Sequence, residues 1–185
     1  LPKGTDNKSL GYVANGWQLS GIYRYQTGAP YNVGATVNGL STYGLTGTSQ
    51  LEGHRVVLLK NPGSGNSSDP YRQLDVTAFA SPNFGSFSYE SGRNFLRVGP
   101  INSWDLALSK EFRVKERYRF EARLDAFNAF NHTQFDGVNG GAVFSGPNSS
   151  TITNRANEQT DRNGFGSINS VRLPRNMQWS LRFQF

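Results

Sequence analysis

The sequence predicts an all-β fold of antiparallel strands, and two observations support this prediction. Four stretches alternate apolar and polar side chains with a period of two, which is the pattern of a β-strand and not of a helix. Only 36% of the 185 residues are hydrophobic, 13% are aromatic, and 21 residues are glycine. The chain therefore has little apolar surface for a large soluble core, and much of what it has lies in aromatic rings, which strands favour.

The four alternating stretches are unusually long for strands. They cover about 15–27, 102–113, 116–128 and 176–185. A tilted strand needs about 9–11 residues to cross a bilayer, whereas strands of soluble proteins usually have about five or six. Strand length therefore favours a transmembrane β-barrel segment with four long strands, whose apolar faces, including Leu106, Leu124 and Leu181, meet lipid.

The connections between these stretches alternate between short and long. The second and third stretches are joined by "RVKER", whereas about 70 residues separate the first from the second and about 45 separate the third from the fourth. Outer-membrane barrels have tight periplasmic turns and long extracellular loops, so this asymmetry favours a barrel. Because the long loops are rich in Gly, Ser, Asn and Pro, we expect them to bury no core of their own, although a short strand is plausible around "HRVVLLK".

The alternation also predicts how the two central strands pair. A three-residue turn at 114–116 would place Glu111 opposite Arg119 while keeping apolar residues opposite apolar residues, and a shift by one residue would reverse the faces of one strand. With an arginine near each, Glu111 and Glu121 would both stay ionised, unlike the paired carboxylates of a hydrolase. The charges expected to face the barrel lumen are Arg24, Asp105, Glu111, Arg119, Glu121, Arg123 and Arg182.

Three longer stretches together resemble a known family. They are "NGWQLSGIYRYQTGAPYNV", "RNFLRVGPINSWDLALSKEFRVKERYRFEARLDAFNAFNHTQF" and "FGSINSVRLPRNMQWSLRFQF". They are similar to the C-terminal strands of TonB-dependent outer-membrane receptors and transporters, the Oar-like branch in particular. The resemblance implies a barrel of about 22 strands with a plugged lumen, which an inner-membrane partner energises to bind or import substrates. Residues 1–185 are too few for such a barrel, so we expect them to form its C-terminal part.

The resemblance also gives the terminal aromatic residues a role. In that family a terminal phenylalanine is read by the barrel-assembly machinery, which implies that Phe185, Phe183 and Trp179 form the signal here. The alternative is that an aromatic residue simply ends the strand. We expect four aromatic residues near strand ends to form an interfacial girdle rather than a carbohydrate-stacking platform. These are Trp17, Trp104, Trp179 and Tyr118.

No residue pattern in the sequence points to catalysis, a metal site or a cofactor. The chain has no cysteine, and its only histidines, His54 and His132, are predicted to be loop or turn residues. The segments "DRNGFG" and "DGVNGG" lack the acidic set and closing Glu of an EF-hand, so turn chemistry explains them better. Although the net charge is +6, the basic residues are interleaved with acidic ones and form no run that would follow nucleic-acid phosphates.

We therefore expect a cell-surface protein in the outer membrane of a Gram-negative bacterium. Its expected partners are the remainder of its own barrel and plug, the barrel-assembly machinery and the lipid bilayer. Two alternatives remain. An isolated 185-residue piece would self-associate through its open strand edges as a β-structural assembly. A soluble β-sandwich with a binding role would be favoured if the long loops contained regular, buried strands.

Overall fold

The chain divides into two compact units. The computed structural model describes residues 8–40, 45, 54–63, 67–87, 90–114 and 118–185. The strand unit contains Leu1–Gln26, Ile101–Thr133 and Leu173–Phe185, and the loop unit contains Thr27–Pro100 and Gln134–Arg172. The two long connections predicted from the sequence therefore fold together as one unit.

The strand unit contains one short helix and four long strands. Helix α1 (Lys8–Ala14) precedes β1 (Trp17–Gln26), and the other strands are β8 (Ile101–Val114), β9 (Tyr118–Phe127) and β13 (Asn176–Gln184). The strands form one antiparallel sheet in the order β1-β8-β9-β13, and their ends lie within two residues of the predicted ranges. In the described part of the chain, no helix is long and apolar enough to cross a membrane.

The pairing of β8 with β9 differs by two residues from the predicted register. Glu111 lies opposite Glu121, not opposite Arg119, and Phe112 lies opposite Phe120. Strand β8 continues through Val114, so the connection falls at residues 115–117, which lie outside the described residues. A two-residue shift keeps every side chain on its face, so the alternation of the sequence cannot distinguish the two registers. The observed register brings the rings of Phe112 and Phe120 to a centroid distance of 6.1 Å.

Strands β1 and β13 form the two outer edges of this sheet. Neither pairs on its outer side with another described strand, and every residue of both strands is exposed. A closed barrel needs about eight strands or more, so four strands leave two open edges. The exposure on both faces also distinguishes this sheet from one half of a β-sandwich, in which one face of each sheet is buried.

The loop unit is built from short strands. They are β2 (Pro30–Tyr31), β3 (Gly34–Val37), β4 (His54–Arg55), β5 (Val57–Leu58), β6 (Phe79–Ala80), β7 (Leu96–Arg97), β10 (Phe135–Val138), β11 (Gly141–Phe144) and β12 (Ile168–Val171), with a 3-10 turn at Val76–Ala78. Strand β3 pairs in parallel with β11 and antiparallel with β4, so one sheet joins the first long connection to the second. The strand predicted around "HRVVLLK" is present as two short strands, β4 and β5.

The loop unit has a hydrophobic core, so the prediction that the long loops bury no core is wrong. Phe79, Phe144 and Phe165 are fully buried, and the rings of Phe79 and Phe165 meet edge to face at a centroid distance of 5.5 Å. Other buried members are Val33, Ala35, Val37, Leu45, Val56, Leu74, Ala78, Leu96 and Ala142. These residues come from both connections and lie in strands of two to four residues or between such strands. Neither connection carries enough apolar residues in one place to show a core, and only their combination makes one.

Candidate membrane-facing surface and loop-unit cleft

Alternate side chains of the four long strands form one continuous apolar face, called the apolar face below. It contains Trp17, Leu19, Tyr23, Tyr25, Trp104, Leu106, Leu108, Phe112, Tyr118, Phe120, Leu124, Met177, Trp179, Leu181 and Phe183. Leu181 is 71% exposed and Leu19 is 67% exposed, whereas Leu106 and Leu124 are half-buried by their neighbours. A patch this large is rare on a soluble monomer and marks a surface that meets lipid or another chain.

The structure separates the four residues predicted to form an aromatic girdle. Trp17 and Tyr118 are the first residues of β1 and β9, at the end of the sheet where β13 finishes. Trp104 lies at the opposite end of the sheet, where its ring is 4.7 Å from Tyr23. Trp179 lies opposite Leu124, two residues along β13 from Leu181, which is level with Trp17 across the sheet, and the girdle stays a prediction.

The predicted assembly signal forms part of a stacked aromatic array. Phe183 lies between two rings, with centroid distances of 6.0 Å to Tyr118 and 6.0 Å to Phe185. The interplanar angles are 11° and 26°, so both contacts are stacked. Phe185 itself is exposed. The structure therefore joins the last two aromatic residues of the chain to the first residue of the neighbouring strand β9, a contact that the sequence alone did not predict.

The polar face of the sheet carries the charges that were predicted to face the lumen. The register places all seven on the face opposite the apolar face: Arg24, Asp105, Glu111, Arg119, Glu121, Arg123 and Arg182. Several pair along their own strand rather than across strands. The distance from Arg123 Nη2 to Asp125 Oδ1 is 2.8 Å, and the distance from Arg113 Nε to Glu111 Oε1 is 2.5 Å.

Cross-strand neighbours on this face include like charges. Glu121 lies between Glu111 and Arg182, so one arginine faces the carboxylate pair from β13. Asp105 makes a different contact, because its Oδ1 accepts a hydrogen bond from the backbone N–H of Asn128 at 2.9 Å. Asp105 therefore fixes the turn that follows β9.

The two histidines occupy different environments. His132 is exposed in a turn, where its N–H donates to Asn128 Oδ1 and its carbonyl accepts from Asn128 Nδ2. His54 is buried, its Nδ1 has no hydrogen-bond partner, and burial lowers its pKa despite the opposing effect of Glu90. Among the described residues, no group of three His, Cys, Asp or Glu side chains could hold a metal ion.

Two other groups of the loop unit have shifted pKa values. Burial raises the pKa of Tyr31 to about 12 because the phenolate would be desolvated. Hydrogen bonds from Lys60 and then Thr77 lower the pKa of Asp75 to about 2. The distance from Lys60 Nζ to Asp75 Oδ2 is 2.7 Å, and this carboxylate also accepts the N–H of Thr77 at the start of the 3-10 turn.

The loop unit has a small cleft, called the loop-unit cleft below. Its volume is about 230 Å³, and its lining combines apolar side chains, two hydroxyls and one guanidinium. The lining residues are Leu59, Val76, Thr77, Ser150, Ile152 and Arg155. Arg155 is exposed, and within the described ranges it has no ion-pair partner. Both long connections contribute to this cleft, so a molecule bound there would contact both.

The family comparison identifies the class to which this architecture belongs. Residues 1–178 match the family model described as the outer membrane beta barrel domain. The chain belongs to this outer-membrane β-barrel family. No curated protein and no solved structure gives a significant match.

Membership of the outer-membrane β-barrel family confirms the predicted all-β barrel fold. It also places the protein in the outer membrane of a Gram-negative bacterium. The soluble β-sandwich alternative is therefore wrong, although the loop unit does contain the short, buried strands that were to favour it. Those strands fold within the connections of a barrel protein.

Proposed function

We propose that the chain is the C-terminal segment of a TonB-dependent outer-membrane receptor or transporter of the Oar-like branch. The observation that carries this proposal is the four-stranded sheet with two open edges. Exposed N–H and C=O groups along β1 and β13 would be unsatisfied in a bilayer unless neighbouring strands pair with them. The remainder of the barrel, together with its plug, would supply those neighbours. Family membership supports the barrel, and the sequence resemblance supports the TonB-dependent class.

In this proposal the two faces of the sheet are exposed to different environments. The apolar face meets the lipid bilayer, as outward-facing residues of such barrels do, and the polar face lines the lumen. Lumen charges such as Arg123 and Asp125 are then neutralised by one another near the plug. The segment closes the barrel and carries no catalytic chemistry, and it uses no cofactor and no nucleic acid.

We further propose that the loop unit contacts the ligand at the cell surface. Both long connections leave the sheet from one end, where Gln26 lies opposite Ile101 and Phe127 lies opposite Asn176. Long connections of outer-membrane barrels are extracellular, so this end would face outwards. The loop-unit cleft offers a concave surface with an apolar lining and the exposed guanidinium of Arg155, which are features of a binding site.

The length of the reading frame upstream of Leu1 tests the proposal directly. A TonB-dependent protein requires that frame to encode a plug and most of a barrel of about 22 strands. A frame that starts close to Leu1 would contradict the proposal. It would favour the self-associating β-assembly instead, because the exposed apolar face and two open edges would then have only other copies of the chain to cover them.

The terminal array supports a second element of the proposal, recognition by the barrel-assembly machinery. Deleting Phe185 from the full-length protein should reduce its insertion into the outer membrane while leaving its synthesis unchanged. Phe185→Tyr should be milder than Phe185→Asp, because an aromatic ring suits the interface and stacks on Phe183, whereas a carboxylate does neither. Protease accessibility of the loop unit in intact cells measures insertion, with Phe87→Ala as an exposed-phenylalanine control. Equal surface levels for the deletion and the parent protein would remove the assembly-signal proposal.

A further inference from the structure

Lys110 lies on the apolar face of the strand unit. It is the sole charged residue that the register places on this face among the described residues. Its side chain is nevertheless only 4% exposed, although most of its neighbours on the face are exposed or half-buried. A cation on a lipid-facing surface is costly unless other groups satisfy it, so the surroundings of Lys110 need an explanation.

Helix α1 supplies the groups that satisfy this cation. Lys110 Nζ donates to the carbonyl oxygen of Val13 at 3.1 Å and to that of Asn15. These carbonyls lie at the end of α1, where they have no partner within the helix and where the helix dipole favours a cation. The ammonium also lies 5.1 Å from the ring centroid of Trp17 and 5.0 Å from that of Phe112, within the range of cation–π attraction. Lys110 therefore fastens the end of α1 to the apolar face.

The junction between α1 and β1 is held by further backbone contacts. Trp17 Nε1 donates to the carbonyl of Val13 at 2.8 Å, and the N–H of Glu111 donates to the carbonyl of Gly16 at 2.9 Å. Gly16 has φ +78°, and a Cβ atom at this position would lie 2.5 Å from the carbonyl oxygen of Glu111. Only glycine suits both the backbone conformation and the close approach. The contacts of Gly16 and Trp17 thus fix the position of α1 against the sheet.

Three apolar side chains of α1 are uncovered. Leu10 is 59% exposed, Tyr12 is 58% exposed and Val13 is 71% exposed. Leu10 and Val13 are three residues apart and therefore lie on one side of the helix. We propose that α1 is an interfacial helix that inserts Leu10 and Val13 into the phospholipid headgroup region, with Lys110 as its positioning residue. This inference rests on the proposed lipid-facing role of the apolar face, because Lys110, which holds the end of α1, lies on that face.

The position and size of α1 support a lipid partner. Helix α1 immediately precedes β1 and lies towards the end of the sheet where β13 finishes. The proposed orientation assigns this end of the sheet to the periplasmic leaflet. Seven residues give a helix about 10 Å long, which is far too short to cross a hydrocarbon core of about 30 Å and is compatible with a helix that lies in the interface. Tyrosine is enriched at that depth because its ring is apolar and its hydroxyl is polar.

Spin labels in the full-length protein test this inference. The 185-residue chain has no cysteine, so single-cysteine variants at Leu10 and Val13 can carry a nitroxide without background labelling from this segment. The protein is reconstituted in bilayers of phosphatidylethanolamine and phosphatidylglycerol. For each label, the collision rate of the nitroxide with oxygen is compared with its collision rate with a water-soluble nickel chelate. Labels at Leu181 and Gln178 are matched references, because they lie on the apolar and the polar face of the same strand.

We expect the labels at Leu10 and Val13 to favour oxygen, as the Leu181 label does. Lys110→Met should then raise the nickel accessibility of the Val13 label several-fold, whereas Lys110→Arg should preserve the lipid-exposed signal. If the labels on α1 are as accessible to nickel as the Gln178 label while the Leu181 label remains in lipid, the interfacial role of α1 is overturned but the lipid-facing role of the apolar face is not. A water-exposed Leu181 label would instead overturn the lipid-facing role on which it rests. An unchanged Val13 signal in Lys110→Met would remove the positioning role of Lys110.

Discussion

The core of the loop unit gives the first prediction, in which Phe79→Ala separates the two long connections. Phe79 is fully buried, packs edge to face on Phe165, and lies opposite Leu58 in the pairing of β6 with β5. Truncating a buried phenylalanine to alanine costs about 3–5 kcal/mol through lost burial and the cavity left behind. The lost aromatic pair accounts for about 0.5–1.5 kcal/mol of this. The substitution should therefore remove a large part of the stability of a small unit.

Hydrogen–deuterium exchange in the full-length protein measures this effect. At about 1.4 kcal/mol for each factor of ten, a loss of about 3 kcal/mol should speed exchange of the β3 and β11 amides by at least about 100-fold. The control is Phe87→Ala in the same unit, because Phe87 is 81% exposed and its truncation should change stability by no more than about 0.5 kcal/mol. Amides of β9 should keep their exchange rates in both variants.

Unchanged exchange of β3 and β11 in Phe79→Ala would refute the reasoning. It would mean that the parallel pairing of these strands does not depend on the buried phenylalanines. The same conclusion would follow if the Phe87→Ala control had an equal effect, because the response would then not depend on burial. Accelerated exchange of β9 together with β3 would show instead that the loop unit has no stability of its own.

Three further predictions concern register and pH. A cysteine pair from Glu111→Cys and Glu121→Cys should form a disulfide faster than one from Glu111→Cys and Arg119→Cys, because only the first pair is directly opposite. The reverse order would restore the turn at 114–116. Since burial lowers the pKa of His54, the unfolded chain binds a proton first, and the loop unit should lose stability as pH falls below about 6.5. Urea unfolding at pH 7.5 and 5.5 measures this loss, which His54→Gln should abolish; an equal loss in that variant would assign the effect to another group. The stabilisation from Asp75 is present above its usual pKa of 3.8 and is lost as pH falls towards about 2, so Asp75→Asn should destabilise at neutral pH but not near pH 2.

The strands of the sheet could be predicted from the sequence because each carries enough alternations to define two faces. In β13, for example, Met177, Trp179, Leu181 and Phe183 alternate with polar residues along the whole strand. Register could not be predicted as well, because shifting β9 by two residues leaves every face unchanged. The choice depended on residues around the turn, where the sequence offers no glycine or asparagine to mark it.

The loop unit and the role of Lys110 required the structure for a different reason. Val33, Phe79 and Phe144 are far apart in the sequence and lie in strands of two to four residues or beside them, which are too short to show a period. Lys110 is visible in the sequence as a break in the apolar pattern. The compensating groups are backbone carbonyls of α1, which carry no side-chain signature. Contacts made by backbone atoms or by distant segments were therefore the ones that the pattern could not predict.

The most direct test of the account is the solvent around the apolar face in the full-length protein. Nitroxide labels at Leu106, Leu124 and Leu181 sample three adjacent strands of this face. In outer membranes, all three labels should collide more often with oxygen than with a water-soluble nickel chelate, as lipid-exposed sites do. Labels that report water exposure on a monodisperse soluble monomer would contradict the account, because the apolar face would then have neither lipid nor another chain to cover it.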